Sequence, residues 1–278
     1  ALAEAVGAAH QRLSPAEACS MVDVLTPDWV ADALLEPDAM SIDAAALVEG
    51  FRSGLLGRNG VIGTNCEVNR LTRTKSGWSV QHTRGTLHCD VVVNAAGAWV
   101  DRVAEAARLS PLGFEPLRRT AFVFPAHHPD APRWPLVMDL GGRFYFEPEG
   151  DGILASPAEE TRCEPHDARA DEVAMAHAVD ALDSATSLKV RGVRSKWAGI
   201  RTFAPDRVPV VGFDPRAEGF FWLAGQGGAG IKTAPALAAL THALISDSDH
   251  RRALGHIALD PADLGPDRLI GATDGQKT

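Results

Sequence analysis

The chain has 278 residues, 45% hydrophobic and 23% charged, and its 27 basic against 36 acidic side chains leave a formal charge of −9. That length suits two domains or one large α/β unit whose core needs neither disulfide nor metal. The composition excludes a disordered, collagen-like or coiled-coil chain, and the acidic balance speaks against non-specific binding to nucleic acid or an anionic membrane.

Ala1–Gly7 lacks the basic start and apolar stretch of a signal peptide. Ser14, Pro15 and Glu17 predict a helix start, with Ser14 as cap and Glu17 three residues on. Ser41 or Asp43 opens a helix to about Leu56, with Leu47, Phe51 and Leu55 on one face and Gly57–Gly60 ending it. Val61–Thr64 predicts a short strand. Glu67–Thr74, Trp78–His82 and Leu87–Cys89 then read as an antiparallel meander. The run Val91-Val92-Val93 predicts a strand buried on both faces, as in a parallel sheet. Small residues follow it, then a helix over Val100–Ala107. Arg119–Phe124, Leu136–Leu140, Arg143–Glu147 and Gly152–Ala155 read as strands, and Asp171–Leu182 as a helix. Leu188–Arg194 and Lys196–Arg201 read as extended. Phe220–Ala224 is an apolar strand that runs into a glycine-rich turn and a helix from about Ile231 to Ile245. From Ser246 the tail is polar and punctuated by Pro and Gly, predicting a partly loose surface segment. The fold class is therefore mixed α/β: a parallel-sheet fragment carrying two small-residue turns, with an antiparallel layer between them from about Arg118 to Arg201.

Gly225, Gly227, Gly228 and Gly230 form the sharpest signal. Glycines between a strand and a helix let backbone approach a ligand, and helix-terminal N–H groups favour negative charge, whether phosphate or a reduced flavin ring. A tight packing turn is the alternative. Ala95, Ala96 and Gly97 after the Val91–Val93 run leave similar room, either for a cofactor or for close helix–sheet packing. Arg201 stands among apolar and aromatic neighbours, where an arginine is costly unless paired; its fork suits a substrate carboxylate or a structural acid. Tyr145, the only tyrosine, is either a pocket residue or a packed aromatic. Of Arg118 and Arg119, adjacent on a strand, one faces a cavity or both are surface charges. His127 and His128 lack two further clustered ligands, so no metal is expected. Asp206 and Asp214 read as turn formers. Cys19, Cys66, Cys89 and Cys163 form no CxxC and suit free thiols in a reducing, cytoplasmic compartment.

Several stretches, taken in order, resemble one family: Val92-Val93-Asn94-Ala95-Ala96-Gly97-Ala98-Trp99, Arg118-Arg119-Thr120-Ala121-Phe122, Phe144-Tyr145-Phe146-Glu147-Pro148, Gly152 to Ala158, Trp197 to Phe203, and Phe220 to Thr233. The sequence is similar to the FAD-dependent D-amino-acid and amine oxidoreductases, the group of D-arginine dehydrogenase, glycine oxidase and sarcosine oxidase. The resemblance implies FAD as cofactor and oxidative deamination of a D-amino acid or secondary amino acid, by hydride transfer to flavin, giving an imine and then a 2-oxo acid. It implies that Arg201 pairs with the substrate carboxylate, that Tyr145 stands over the substrate, and that Arg118 (with Arg119 as fallback) is a second active-site arginine. It places Gly225, Gly227, Gly228, Gly230, Ile231, Lys232 and Thr233 around the flavin turn, Val68 on the adenine side, and Ala95, Ala96, Gly97 and Trp99 along the cofactor. It assigns 1–110 and 202–250 to a FAD-binding domain, 111–201 to an antiparallel substrate domain and 251–278 to a tail. The family's opening GxGxxG unit has no counterpart here. The Rossmann-like sheet thus lacks its first βαβ part, and a missing N-terminal segment or companion polypeptide is expected as partner. The alternative is a non-catalytic or partial subunit that needs such a segment to hold FAD. The side chain of the substrate is not readable, since no dense acidic pocket stands out.

Overall fold

The computed structural model describes residues 9–126, 128–255 and 257–271; Ala1–Gly7, His127 and the end of the tail, read above, lie outside them. In chain order come β1 (Gln11–Leu13), α1 (Pro15–Met21), β2 (Ala33–Leu35), α2 (Ala44–Leu56), β3 (Val68–Thr74), β4 (Gly77–His82), β5 (Gly85–Cys89) and β6 (Val92–Asn94). Then follow α3 (Val100–Ala106), β7 (Glu115–Pro125), β8 (Val137–Met138), β9 (Tyr145–Glu149), β10 (Gly152–Ser156), β11 (Thr161–Arg162) and α4 (Glu172–Ala185). The last are β12 (Ser195–Phe203), β13 (Val210–Phe213), β14 (Phe220–Ala224), α5 (Gly230–Ile245) and α6 (His250–Leu254). The chain forms two compact units.

The first unit comprises the described part of Ala1–Ser41 with Arg118–Thr161 and Asp167–Gly199. Residues 9–41, assigned by sequence to the FAD-binding part, thus group with the antiparallel sheet. That sheet has the order β11-β7-β10-β9-β8, with β12 also on β7. One face is apolar at every second residue: Phe122, Phe124, Phe144, Phe146, Ile153 and Ala155 pack on Met175, Ala178, Leu182 and Ala185 of α4. Each fully buried phenylalanine contributes roughly 1.5–3 kcal/mol. Ser14 and Glu17 cap α1 by the reciprocal pair the sequence predicts. Asp171 caps α4, accepting from the N–H groups of Val173 and Ala174. Leu188–Arg194 joins no strand among the described residues.

The second unit comprises Ile42–Leu117, Arg162–His166 and the described part of Ile200–Thr278. Its sheet has the order β13-β14-β6, and β14 runs parallel to β6, with Phe220, Phe221 and Trp222 opposite Val92, Val93 and Asn94. Two segments about 130 residues apart in sequence are therefore neighbours, as the paired small-residue turns predict. This is the Rossmann-like fragment of a mixed α/β fold. The meander β3-β4-β5 forms its own sheet. It is tied to the loop before β14 by Trp78 Nε1, which donates to the Glu218 carbonyl at 3.1 Å, and by the Arg73–Glu218 pair at 2.5 Å.

Three expectations change here. Val61–Thr64 forms no strand; its Val61 is exposed. The Val91–Val93 run is not buried on both faces: β6 stands at the sheet edge among the described residues, and Val93 is exposed. The tail is not loose over its described length. Leu254 and Leu264 pack with Val211, Phe221, Leu237 and Leu240, and Leu269 joins the core around Trp222. Arg268 binds the Asp206 carboxylate at 2.7 Å, so Asp206 anchors the tail as well as its own turn.

Asp214 does more than form a turn. Its buried carboxylate accepts from Trp222 Nε1 at 2.9 Å and from the Arg216 guanidinium at 2.7 Å. Burial raises the carboxyl, but the bonds from Arg216 and Trp222 outweigh it and hold the group below the usual carboxylate range. Asp214→Ala leaves a buried indole N–H and a partly buried cation without an acceptor, and is expected to cost about 3 kcal/mol in urea denaturation.

In the first unit, the Arg143 guanidinium holds the Asp139 carboxyl down at about 2, with the Arg143 backbone N–H also donating, in the turn before Tyr145. A depressed acid stabilises the fold above its unfolded value and loses that contribution as pH falls toward the folded one. Wild-type unfolding free energy is therefore expected to drop between about pH 4 and 2. Asp139→Asn should start lower at pH 7 and lose that part of the drop, measured by denaturant titration at several pH values.

Candidate functional site

In the second unit the chain leaves β14 into Gly225, whose φ is +76°. A Cβ there would meet Phe114 Cε1 at 3.0 Å and the Ala204 nitrogen at 3.3 Å. Gly227, at φ +54°, lies against the Phe203 ring; its Cβ would fall 2.2 Å from Cε1. Gly228 lies under Arg201, with a hypothetical Cβ only 2.9 Å from Nη1. An antiparallel bridge between Phe203 and Gln226 sets this approach. The glycines therefore serve close packing against the end of β12, and they bring the turn to Arg201. Phe114 is fixed in turn by Asp101, whose carboxylate accepts the N–H groups of Leu112, Gly113 and Phe114.

Beyond the turn, α5 begins at Gly230 with no side-chain cap at Ala229. Ile231 and Lys232 are exposed, and the Thr233 hydroxyl donates to the Ala229 carbonyl at 2.9 Å. Pro235 inside the helix removes the N–H that the Ile231 carbonyl would otherwise accept.

The parallel neighbour β6 ends in the second small-residue turn. Asn94 is buried; its Nδ2 donates to the Val100 carbonyl at 2.8 Å, while its Oδ1 has no partner. Ala95, Gly97 and Trp99 are exposed, Trp99 by 43%. Gly97 has φ +55°, so the exit into α3 needs a glycine. Val68 lies in the separate meander, half-buried against the core around Trp222.

Arg201 is half-buried, and no hydrogen bond or ion pair engages it among the described residues. Other arginines differ. Arg216 and Arg268 are paired in the same unit. In the first unit, Arg118 binds Asp171, the cap of α4, while its buried Nε has no partner. Arg119, the fallback, donates through Nε to the Glu159 carbonyl at 2.6 Å. Tyr145 is half-buried on β9, on the face opposite Phe144 and Phe146. The structure thus brings Arg201, Gly225, Gly227 and Gly228 together in one unit and carries Tyr145 and Arg118 in the other.

Asp23, His128 and Asp130 come closer than their spacing suggests, their ligand atoms lying within 4.8 Å of one another. The Asp130 N–H faces His128 Nδ1 at 3.3 Å, Nε2 faces Asp23 at 3.5 Å, and Arg133 pairs with the Asp130 carboxylate.

A flavin fits the residues present. Gly228 is exposed at the turn, Asn94 Oδ1 is a buried polar atom without a partner, and in the Ala95–Trp99 turn nothing lies within 4 Å of a Cβ at Gly97. Cys19, Cys66, Cys89 and Cys163 form no disulfide, and among the described residues no helix is long and apolar enough to cross a membrane.

The chain is similar to several known proteins. The chain is 34% identical over 187 residues to FAD-dependent oxidoreductase domain-containing protein 1 of Xenopus laevis, covering 58% of this chain and 36% of that one. It is 26% identical to the glycine oxidase of Pseudomonas putida, covering 81% of this chain and 59% of that one. The glycine oxidase structure from Geobacillus kaustophilus superposes with a TM-score of 0.83 at 24% identity, over 97% of this chain and 70% of that one. The chain thus spans between about a third and three fifths of these two curated relatives. The family model described as DAO, FAD dependent oxidoreductase, matches residues 1–244. The chain belongs to the FAD dependent oxidoreductase family.

Proposed function

We propose that this chain forms the substrate-binding part and one side of the flavin site of an FAD-dependent oxidoreductase acting on an amino acid or secondary amine. The single observation that carries this is Arg201: a half-buried, unpaired guanidinium held over a bare glycine backbone. A cation so placed is costly without a counter-charge, and its planar fork matches a carboxylate. Bound FAD supplies the two-electron acceptor for oxidation of the substrate C–N bond. The residues that would hold it are Gly225, Gly227, Gly228, Gly230 and the first turn of α5 with Ile231, Lys232 and Thr233, together with Ala95, Ala96, Gly97 and Trp99, and Val68 on the adenine side. Arg201 binds and orients the substrate carboxylate, which fixes the α-carbon for reaction. Tyr145, on the face of its sheet opposite Phe144 and Phe146, stands over the substrate, and Arg118, paired with Asp171, is the second arginine of the site. The uncharged amine then gives an imine, which water converts to a 2-oxo acid.

A second reading is favoured by α2 and β6. No residue of α2 is buried, Val48, Phe51 and Leu55 are exposed, and so is Val93 on the β6 edge. A companion segment, covalent or on another polypeptide, that packs there and completes the FAD pyrophosphate site fits this surface. FAD titration of the purified chain, with native mass spectrometry before and after denaturation, decides between the two. Tight binding by the chain alone supports the first, and FAD released only with added mass supports the second.

Arg201→Ala is expected to leave bound FAD absorbance unchanged and to raise KM about 100-fold, the worth of a charge-assisted bidentate contact. Gly228→Val, which drives a side chain into the Arg201 guanidinium, is expected to raise KM in the same direction with FAD still bound. An unchanged KM in either variant, measured over a panel of D-amino acids, glycine and sarcosine with an artificial electron acceptor, counts against the carboxylate role.

A further inference from the structure

The face of the first unit's sheet opposite Phe144 and Phe146 carries a carboxylate that the reading above does not use. Residues directly opposed across an antiparallel ladder share a face. The registers place Met138, Tyr145 and Ser156 in one row, and Glu147, Leu154 and Val123 in the next row on the same side. Tyr145 and Glu147 thus stand two residues apart on β9, about 6.6 Å along the strand.

Glu147 is half-buried beside apolar Leu154 and Val123, and among the described residues no hydrogen bond or ion pair engages it. Several other carboxylates of this unit are paired. In the same unit Asp139 faces Arg143, Asp151 faces Arg194, Asp171 faces Arg118 and Glu172 faces Lys196. Burial pushes the Glu147 carboxyl up, and Glu149 adds to this. A partly desolvated carboxylate is stabilised by a cation brought to it.

We infer that Glu147 selects substrates that carry a second cationic group, a guanidinium or ammonium at the end of the side chain, on the face where Tyr145 stands. This rests on Tyr145 being a substrate-facing residue. The two-residue step along β9 is a span that a three- or four-carbon stem covers. Glu147 is then a specificity residue, with no part in moving electrons.

The test uses the sole tyrosine. Tyr145 is the only one of 278 residues of that type, so 3-fluorotyrosine labelling gives one fluorine resonance that reports this face. The full chain, with FAD added, is titrated with arginine and with citrulline, its uncharged isostere, and FAD binding is measured on the same samples. Arginine should shift the resonance saturably and citrulline bind at least about tenfold more weakly. Glu147→Gln should remove that difference while leaving citrulline binding and the folded spectrum intact, and Glu147→Asp should restore part of it. Equal affinity for arginine and citrulline, an unchanged preference in Glu147→Gln, or no shift with either ligand overturns the inference. FAD bound without any preference for arginine removes the Glu147 role and leaves the oxidoreductase reading standing. A preference for arginine with no bound FAD supports the Glu147 role and bears against the first reading of cofactor binding.

Discussion

The second unit is organised by the approach of a backbone without side chains to the end of β12. Gly225, Gly227 and Gly228 lie so close to Phe114, Phe203 and Arg201 that a methyl group at any of them meets a neighbour at 3.0 Å or less. That contact dictates much of what surrounds it. β14 has to stop at Ala224, because the next residue needs positive φ. Phe114 has to be held firmly, and Asp101 does so with three backbone acceptor contacts from one carboxylate. Burial raises the Asp101 carboxyl despite those bonds, so the loop is held at an electrostatic cost. Arg201 reaches the turn only because no side chain fills the space above Gly228.

The first unit shows a different asymmetry. Alternation along β7, β9 and β10 sends aromatic and aliphatic side chains to one face, where α4 covers them. The other face keeps Tyr145 and Glu147 half-buried and Met138 exposed, beside buried Val123 and Ser156. Its ion pairs sit around the sheet: Arg194 with Asp151, Lys196 with Glu172, Arg118 with Asp171. Arg143 closes the turn before Tyr145 through Asp139 and also lies over the Trp29 ring at 4.4 Å. The tyrosine is thus approached through a turn whose geometry two independent contacts fix, which favours a pre-set side-chain direction over an adaptable one.

Much of this was legible in the residues. The Ser14–Pro15–Glu17 cap, the meander from Glu67, the helix from Asp171 and the glycine exit after Phe220–Ala224 each rest on local rules, and local rules act within a few residues. The parallel pairing of β6 with β14 followed from matching two small-residue turns. What escaped depended on distant partners. β13 pairs with β14 through Val210–Phe213, a stretch with Pro before it and Gly within it that carries no strand period of its own. The tail looked polar because three leucines, Leu254, Leu264 and Leu269, are widely spaced, yet those three anchor it. Glu147 was invisible as a candidate because its lack of a cation is a fact of register, not of spacing. Arg118 shows the reverse: its motif suggested a free pocket arginine, and the fold supplied Asp171 as a partner.

The helix α2 poses the sharpest energetic question. Thirteen residues are marginal as an isolated helix, since nucleation is unfavourable and propagation adds little per residue. The Asp43 cap contributes about 1 kcal/mol, and the Glu49–Arg52 pair a few tenths. Gly50 and Gly54 within it each cost nearly as much as the cap supplies. Helices in proteins draw most of their stability from burying an apolar face, and α2 buries no residue, with Phe51 51% exposed. Its Val48, Phe51 and Leu55 follow the spacing of a face made to be covered. A helix with this balance holds its form in the presence of a cover, so the companion segment of the second reading would stabilise α2 as well as complete the cofactor site, and cofactor binding and helix formation would then rise together.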